Sequence, residues 1–150
     1  MKIEYNNLYT HFVFTVLLRL PLILEANRQR IEKYITGIVN NQKCKMYAVY
    51  ANTEHVHFFV SRAPNMDEER LAEIVANSSS HFINENKLCF GNFEWLDKCS
   101  AFSVSKSDVN KVIKYILGQK EHHLKHTFAE EYKEFLKFYQ QTINPNETRE

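Results

Sequence analysis

Hydrophobic and polar positions along the chain follow two alternating periods. Leu8 to Leu17 is rich in β-branched and aromatic residues and ends near Pro21, which predicts a first strand. Beyond Glu25 the apolar positions become Ile31, Tyr34, Ile35, Ile38 and Val39, the i, i+3, i+4, i+7 spacing of an amphipathic helix. From Lys43 to Ala51 a period of two returns, with Cys44, Met46, Ala48 and Tyr50 alternating against Lys45, Tyr47 and Val49. Asn52 and Thr53 then form a tight connection into Glu54 to Ser61, predicting a hairpin. Pro64 and Asn65 break the run before a second helix on Leu71, Ile74, Val75, Ser78, Phe82 and Ile83, with Asn65 or Asp67 available to cap it. A loop from Asn84 to Lys98 carries Gly91 and Trp95, and Ser100 to Val104 reads as a fourth strand. Ser105 or Ser107 can cap a third helix with the stripe Val109, Val112, Ile113 and Ile116. A final helix, Phe128 to Tyr139, buries Phe128, Tyr132, Phe135, Leu136 and Tyr139, and the chain is polar from Asn144 onward.

The order βαββαβ predicts an α+β fold of ferredoxin-like type, a four-stranded antiparallel sheet with two helices on one face. The later helices are available to cover the other face. With 150 residues, 44% apolar and 13% aromatic, the chain suits one core, so a single domain is expected over 1–143 with a polar tail at 144–150. Three cysteines, Cys44, Cys89 and Cys99, are an odd number without metal-type spacing, which argues for free thiols in a reducing cytoplasm. No apolar stretch approaches membrane-spanning length, so a cytoplasmic protein without an anchor is expected. A formal charge of +1 neither requires nor excludes a nucleic-acid partner.

The candidate chemistry lies on the third strand and third helix. Strand alternation gives His55, His57 and Phe59 one face, so two imidazoles point the same way. Neutral imidazole binds Mn, Zn and similar ions, and an added amide or carboxylate oxygen favours Mg or Mn. Taken alone, His-x-His is weak evidence and reads more simply as a polar or partly exposed strand face. Tyr115 and Gln119 lie four apart, about 40° around a helix axis, so both project from one side. A glutamine oxygen can join a metal's inner shell while the phenol waits beside it; the plainer alternative is an amphipathic edge residue and a solvated one. Together the set suits phosphodiester chemistry. A metal offsets phosphate charge and helps a phenol of ordinary pKa about 10 lose its proton. The resulting phosphotyrosine is again a phosphodiester, so a new 3′-hydroxyl can reverse the step.

At these residues the chain resembles the HUH endonucleases, specifically the single-tyrosine transposases of small insertion sequences and their REP-associated relatives. The landmarks are Tyr9 to Thr15, Arg19 to Ile23, His55-Val56-His57, Asn77 to Ser80, Ala101 to Ser105 and the nucleophile-like helix Val112 to His123, in family order across roughly Tyr9 to Tyr139. The resemblance implies His55, His57 and Gln119 as ligands of Mg or Mn, and Tyr115 as the nucleophile that takes the 5′-phosphate of cleaved single-stranded DNA. It further implies recognition of a folded hairpin near an element's end. In many members a homodimer forms composite sites, and that assembly is the one expected here, although REP-associated relatives can act as monomers. Members often carry Pro-Asp before the first histidine and Thr-Lys-x-Arg after the first strand. Here those positions read Thr53-Glu54 and Thr15-Val16-Leu17-Leu18-Arg19. Glu54 keeps a carboxylate, and the missing lysine bears on a phosphate or DNA-end contact.

The remaining candidates have bland readings beside functional ones. His122 and His123 suit a hydrated helix end as well as a DNA or proton-transfer role and are left outside the catalytic set. His11 and His81 read as hydrogen-bonded structural residues. Lys43, Lys45, Lys111 and Lys114 read as solvated surface that can also meet phosphates, and Trp95 as core or dimer packing rather than a base platform. The expected function is cleavage and rejoining of single-stranded DNA. The alternatives are a domesticated nucleic-acid-binding or regulatory protein of the same fold and a replication-initiator or relaxase-like nickase, whose additional domains have no room in this chain.

Overall fold

The computed structural model describes residues 1–121 in full, the backbone of residues 122 and 123, and residues 127, 129–131, 133, 134, 136 and 137. The predicted tail at 144–150, most of the apolar stripe of the final helix and the side chains of His122 and His123 lie outside the described residues. The chain divides into two compact units, residues 1–117 and 118–150, and each is described by itself.

In the first unit the elements run β1 (Tyr9–Thr15), α1 (Glu25–Asn41), β2 (Lys45–Ala51), β3 (His55–Ser61), α2 (Glu68–Glu85), β4 (Ser100–Ser103) and α3 (Val109–Leu117). The strands form one sheet in the order β2-β3-β1-β4, every pair antiparallel, as the ferredoxin-like arrangement requires. One sheet face is an apolar core. Phe12, Phe14, Val56, Phe58 and Val60 pack against Ile31, Ile35 and Val39 of α1 and Leu71, Val75 and Ile83 of α2. Phe12 and Phe58 are opposite one another in the β1–β3 ladder and stack at 4.9 Å between ring centroids. Trp95 joins this core, its Nε1 donating to Ser79 Oγ at 3.0 Å and its ring meeting Phe14 edge-on. Packing is thus the observed role of Trp95. His81, by contrast, is exposed on α2 rather than bonded in the interior.

The predicted alternation along β2 is interrupted. A bulge between Met46 and Ala48 lets Met46 and Val49 both reach the core, while Tyr47 turns to Tyr9 and Phe59. The hairpin turn is Thr53-Glu54, closed by the Asn52 N–H donating to His55 O at 2.8 Å, one position later than expected. Asp67, not Asn65, caps α2, accepting from the Arg70 N–H at 2.7 Å. Neither serine caps α3, because a 3-10 turn at Lys106–Asp108 intervenes and Ser105 Oγ meets Ser107 and Asp108 instead.

Both long helices end the same way. After α1, Lys43 has φ +60°, Lys43 N–H donates to Asn40 O and Cys44 N–H to Val39 O. After α2, Lys87 has φ +50°, with Lys87 N–H to Asn84 O and Leu88 N–H to Ile83 O. These are paired Schellman closures in which buried Cys44 and Leu88 return the chain to the core. Lysine occupies the left-handed position where glycine is unstrained. This also explains why β2 begins at Lys45 rather than Lys43.

The third helix stops at Leu117, Gly118 forms a turn, and Gln119 opens a short helix α4 (Gln119–His123) in the second unit. Tyr115 and Gln119 therefore do not share one continuous helix. Glycine at the junction is the weakest helix former after proline, and it lies where the break occurs. Within the second unit Thr127 caps a further turn, its Oγ1 accepting from the Glu130 N–H at 3.2 Å and its carbonyl from the Glu131 N–H at 3.0 Å. Among the described residues no helix is long and apolar enough to cross a membrane.

Substituting Lys43→Gly or Lys87→Gly should each stabilise the fold by about 0.5–1 kcal/mol, the left-handed penalty less the glycine entropy. Denaturant unfolding measures it; a loss of stability in both variants would show that those positions are unstrained.

Candidate active site

The second face of the sheet carries the polar chemistry. β1 and β3 pair Thr15 with His55, Val13 with His57 and His11 with Phe59, so these six residues share a face. A slip of one residue would turn both histidines into the apolar core. The register is held by the Phe12–Phe58 stack and the flanking valines on the opposite face. α3 packs across this second face over β2 and β3 and brings Tyr115 to the histidines.

The rings form a chain of neighbours. His55 and His57 stand 4.9 Å apart between centroids, His57 and His11 5.1 Å, and His57 and Tyr115 5.7 Å at 87°. Tyr115 also lies 6.4 Å from His11. All three imidazoles are buried, and Tyr115 is half-buried. Three contacts join their ring nitrogens to neighbours: His11 Nε2 meets His57 Nδ1 at 2.9 Å, His55 Nδ1 meets Glu54 Oε1 at 2.8 Å, and His55 Nε2 meets Asn52 Nδ2 at 3.1 Å. Burial, reinforced by the neighbouring His57, holds the His11 pKa well below its ordinary value of 6.5, so this ring is neutral at neutral pH.

The hairpin that carries His55 is tied down from several sides. Val16 N–H donates to Glu54 O at 2.9 Å and Ile23 N–H to Thr53 O at 3.0 Å. On α1, Glu32 accepts from Arg28 at 3.0 Å and from the Ala51 N–H at 2.9 Å, fixing the end of β2. Burial pushes the Glu32 carboxyl up, against the lowering effect of the Ala51 N–H and Arg28. Between Val16 and Ile23, Leu18 and Arg19 adopt φ +60° and +55°. Two successive left-handed non-glycine residues cost about 1–2 kcal/mol each, and bonds on either side of them anchor the site's hairpin.

Of the residues singled out in the sequence, His55, His57 and Tyr115 thus come together within the first unit. Gln119 lies in the second unit, where it is buried. His11 is the residue that sequence reasoning left aside. Strand alternation alone would have grouped it with Tyr9 and Val13, but its contact with His57 depends on the β1–β3 register, which no local pattern specifies. His55 and His57 are a donor pair that suits a divalent cation. Their imidazoles share a face, lie side by side, and each has a defined second contact, the usual support of a metal-binding histidine.

A ferredoxin-like sheet with a histidine pair and a tyrosine on its second face meets a known class here: the chain is a transposase, a DNA-cleaving enzyme. Residues 4–119 match the family described as transposase IS200-like, and the chain belongs to that family. Two solved structures share the fold. One is a candidate transposase from Deinococcus radiodurans R1, with TM-score 0.62 and 14% identity over 79% of this chain and 96% of that one. The other is a REP-associated tyrosine transposase bound to a REP hairpin, with TM-score 0.61 and 14% identity over 82% of this chain and 72% of that one. No curated protein sequence matches the chain.

Because His11 is neutral when folded and ordinary when unfolded, the unfolded state binds more protons below pH 6.5. Its contribution to stability is complete above that value and is lost as pH falls from there toward the lowered folded pKa. In metal-free protein, His11→Gln should flatten the pH dependence of unfolding free energy across this window. An unaltered slope would contradict the assignment.

Proposed function

We propose that the protein cleaves and rejoins single-stranded DNA through a covalent bond to Tyr115, with His55, His57 and Gln119 as the ligands of a Mg or Mn ion. The single observation that carries this reading is the approach of the Tyr115 ring to His57 within one chain, 5.7 Å between centroids on a face that also holds His55. A phosphate gripped beside that pair would lie within reach of the phenol.

When bound, the ion would neutralise charge on a non-bridging phosphate oxygen and favour the phenolate. The chain's own groups supply the rest. The Tyr115 oxygen forms a bond to phosphorus, the bond from phosphorus to the 3′ oxygen breaks, and the phenol's proton is balanced by the one gained at the released 3′-hydroxyl. The 5′-phosphate stays on tyrosine. Because one phosphodiester replaces another, a different 3′-hydroxyl can reverse the exchange and join strands. The half-buried position of Tyr115 limits competing attack by water.

The substrate we infer is a single strand with a folded hairpin near an element's end, by analogy with the hairpin-bound relative. The neighbourhood of Tyr115 and His57 supports a site completed within one chain. The homodimer with composite sites that the resemblance implies would require Tyr115 to serve a second copy's histidines instead. Retention of His55, His57, Tyr115 and Gln119 argues against the domesticated, non-catalytic alternative.

On single-stranded DNA carrying a hairpin-forming palindrome found in the DNA around the gene, the protein with Mn or Mg should form a denaturation-resistant adduct. Tyr115→Phe should abolish it without unfolding the domain, and an undiminished adduct would refute the nucleophile. His57→Ala should lower cleavage at least about 100-fold while DNA affinity changes only a few-fold. Full cleavage by that variant would refute the ligand pair. Mixing Tyr115→Phe with His57→Ala protein should restore no cleavage if each site is built from one chain; restored cleavage would establish exchange between copies.

A further inference from the structure

We propose that Glu54 is a positioning residue that sets the tautomer of His55 and that His11 holds His57 as its proton acceptor, so that both ligand rings carry a proton on Nδ1 and present an unprotonated Nε2 to one shared cation. The inference rests on reading the pair as metal ligands and adds what makes the two rings competent for it.

A neutral imidazole carries one proton on two nitrogens, and only the nitrogen without it can bind a metal. Chance would leave each ring in the wrong form part of the time. At His55 the choice is made by Glu54. A carboxylate can only accept, so Glu54 Oε1, 2.8 Å from His55 Nδ1, requires the proton to sit on Nδ1. The lone pair is then on Nε2, where it accepts from Asn52 Nδ2 at 3.1 Å. The same argument orients the Asn52 amide, whose oxygen would face a second lone pair if reversed. An ion held at Nε2 would take the lone pair that Asn52 uses here, so binding would require that hydrogen bond to be given up.

Glu54 is itself restrained. Its other oxygen accepts from the Thr53 hydroxyl, and the backbone carbonyls of Thr53 and Glu54 accept from Ile23 and Val16. The carboxylate is therefore part of a rigid two-residue turn, not a passing surface ion pair.

At His57 the partner is a third imidazole. His11 Nε2 lies 2.9 Å from His57 Nδ1, a separation that requires one proton between the two nitrogens. If His57 donates it, its Nε2 is left with the lone pair needed for a cation. The reverse assignment would place the second proton on Nε2 and disable the ligand. Both rings are fully enclosed on adjacent strands whose register is fixed, so the contact persists without a flexible side chain to hold it.

Nitrogen-15 correlation spectra of the imidazoles in metal-free protein read the tautomers directly, with no variant needed. Both His55 and His57 should be protonated at Nδ1; a proton found on Nε2 of either ring would overturn the proposal. Binding of Mn alone, followed by electron paramagnetic resonance, supplies the second readout. Glu54→Ala should weaken Mn affinity about 10–100-fold, and Glu54→Gln, which keeps an acceptor oxygen without the charge, should weaken it less. Glu54→Ala binding Mn as tightly as the unaltered protein, while His57→Ala does not, would overturn the role of Glu54. If His57→Ala also binds as tightly, the metal-ligand reading itself fails, an outcome distinct from failure of the tautomer assignment. His11→Gln should likewise reduce affinity. Because its ring is buried, its unfolding midpoint is measured alongside, and the wild-type tautomer of His57 decides the question if that variant does not fold.

Discussion

The antiparallel register between β1 and β3 is the constraint from which the rest of the site follows. Pairing Val13 with His57 brings His11, two residues away on the neighbouring strand, into bonding distance of His57. The same register stacks Phe12 on Phe58 on the other side of the sheet. Period-two alternation links these outcomes: neither can change without the other. Apolar burial of fully enclosed phenylalanines, each contributing about 1.5–3 kcal/mol, therefore fixes a polar cluster that gains little by itself. A large stabilising face holds a costly one in place.

The polar face still has to be covered. Burying three imidazoles is unfavourable unless their nitrogens are satisfied, and His11, Asn52 and Glu54 supply contacts to the pair. α3 completes the arrangement. Its buried Val112 and Ile116 pack inward, and Tyr115, between them in sequence, remains only half-buried beside the histidines. One short helix thus closes the second face and delivers the phenol. The hairpin between β2 and β3 is anchored by the strained segment after β1 and by Glu32 of α1, so the site is supported from elements that carry none of its chemistry.

Much of this architecture was legible because it is written in local periods. Ile31, Ile35 and Val39 mark the buried stripe of α1, and Val56, Phe58 and Val60 the core face of β3, in the sequence as in the structure. The shared face of His55 and His57 was legible for the same reason, and the approach of Tyr115 to them was implied by a resemblance to the family the chain belongs to. What local pattern missed depended on non-local geometry or backbone conformation. His11 needed the strand register. Glu54 needed the turn to fall at Thr53-Glu54, where its carboxylate meets the next residue's ring. The bulge after Met46 left alternation in β2 out of phase, and lysines at left-handed closures carried none of the glycine signal that marks such ends. The break at Gly118 was visible as a glycine but outweighed by the helical spacing of Tyr115 and Gln119.

In the proposed mechanism the phenol beside His57 is the group that becomes joined to DNA. Mass spectrometry of the trapped adduct, after nuclease trimming and proteolysis, locates that bond without relying on loss of function. The expected product is a nucleotide linked through its 5′-phosphate to the peptide containing Tyr115. Linkage to any other tyrosine, or to a serine or histidine, would contradict it.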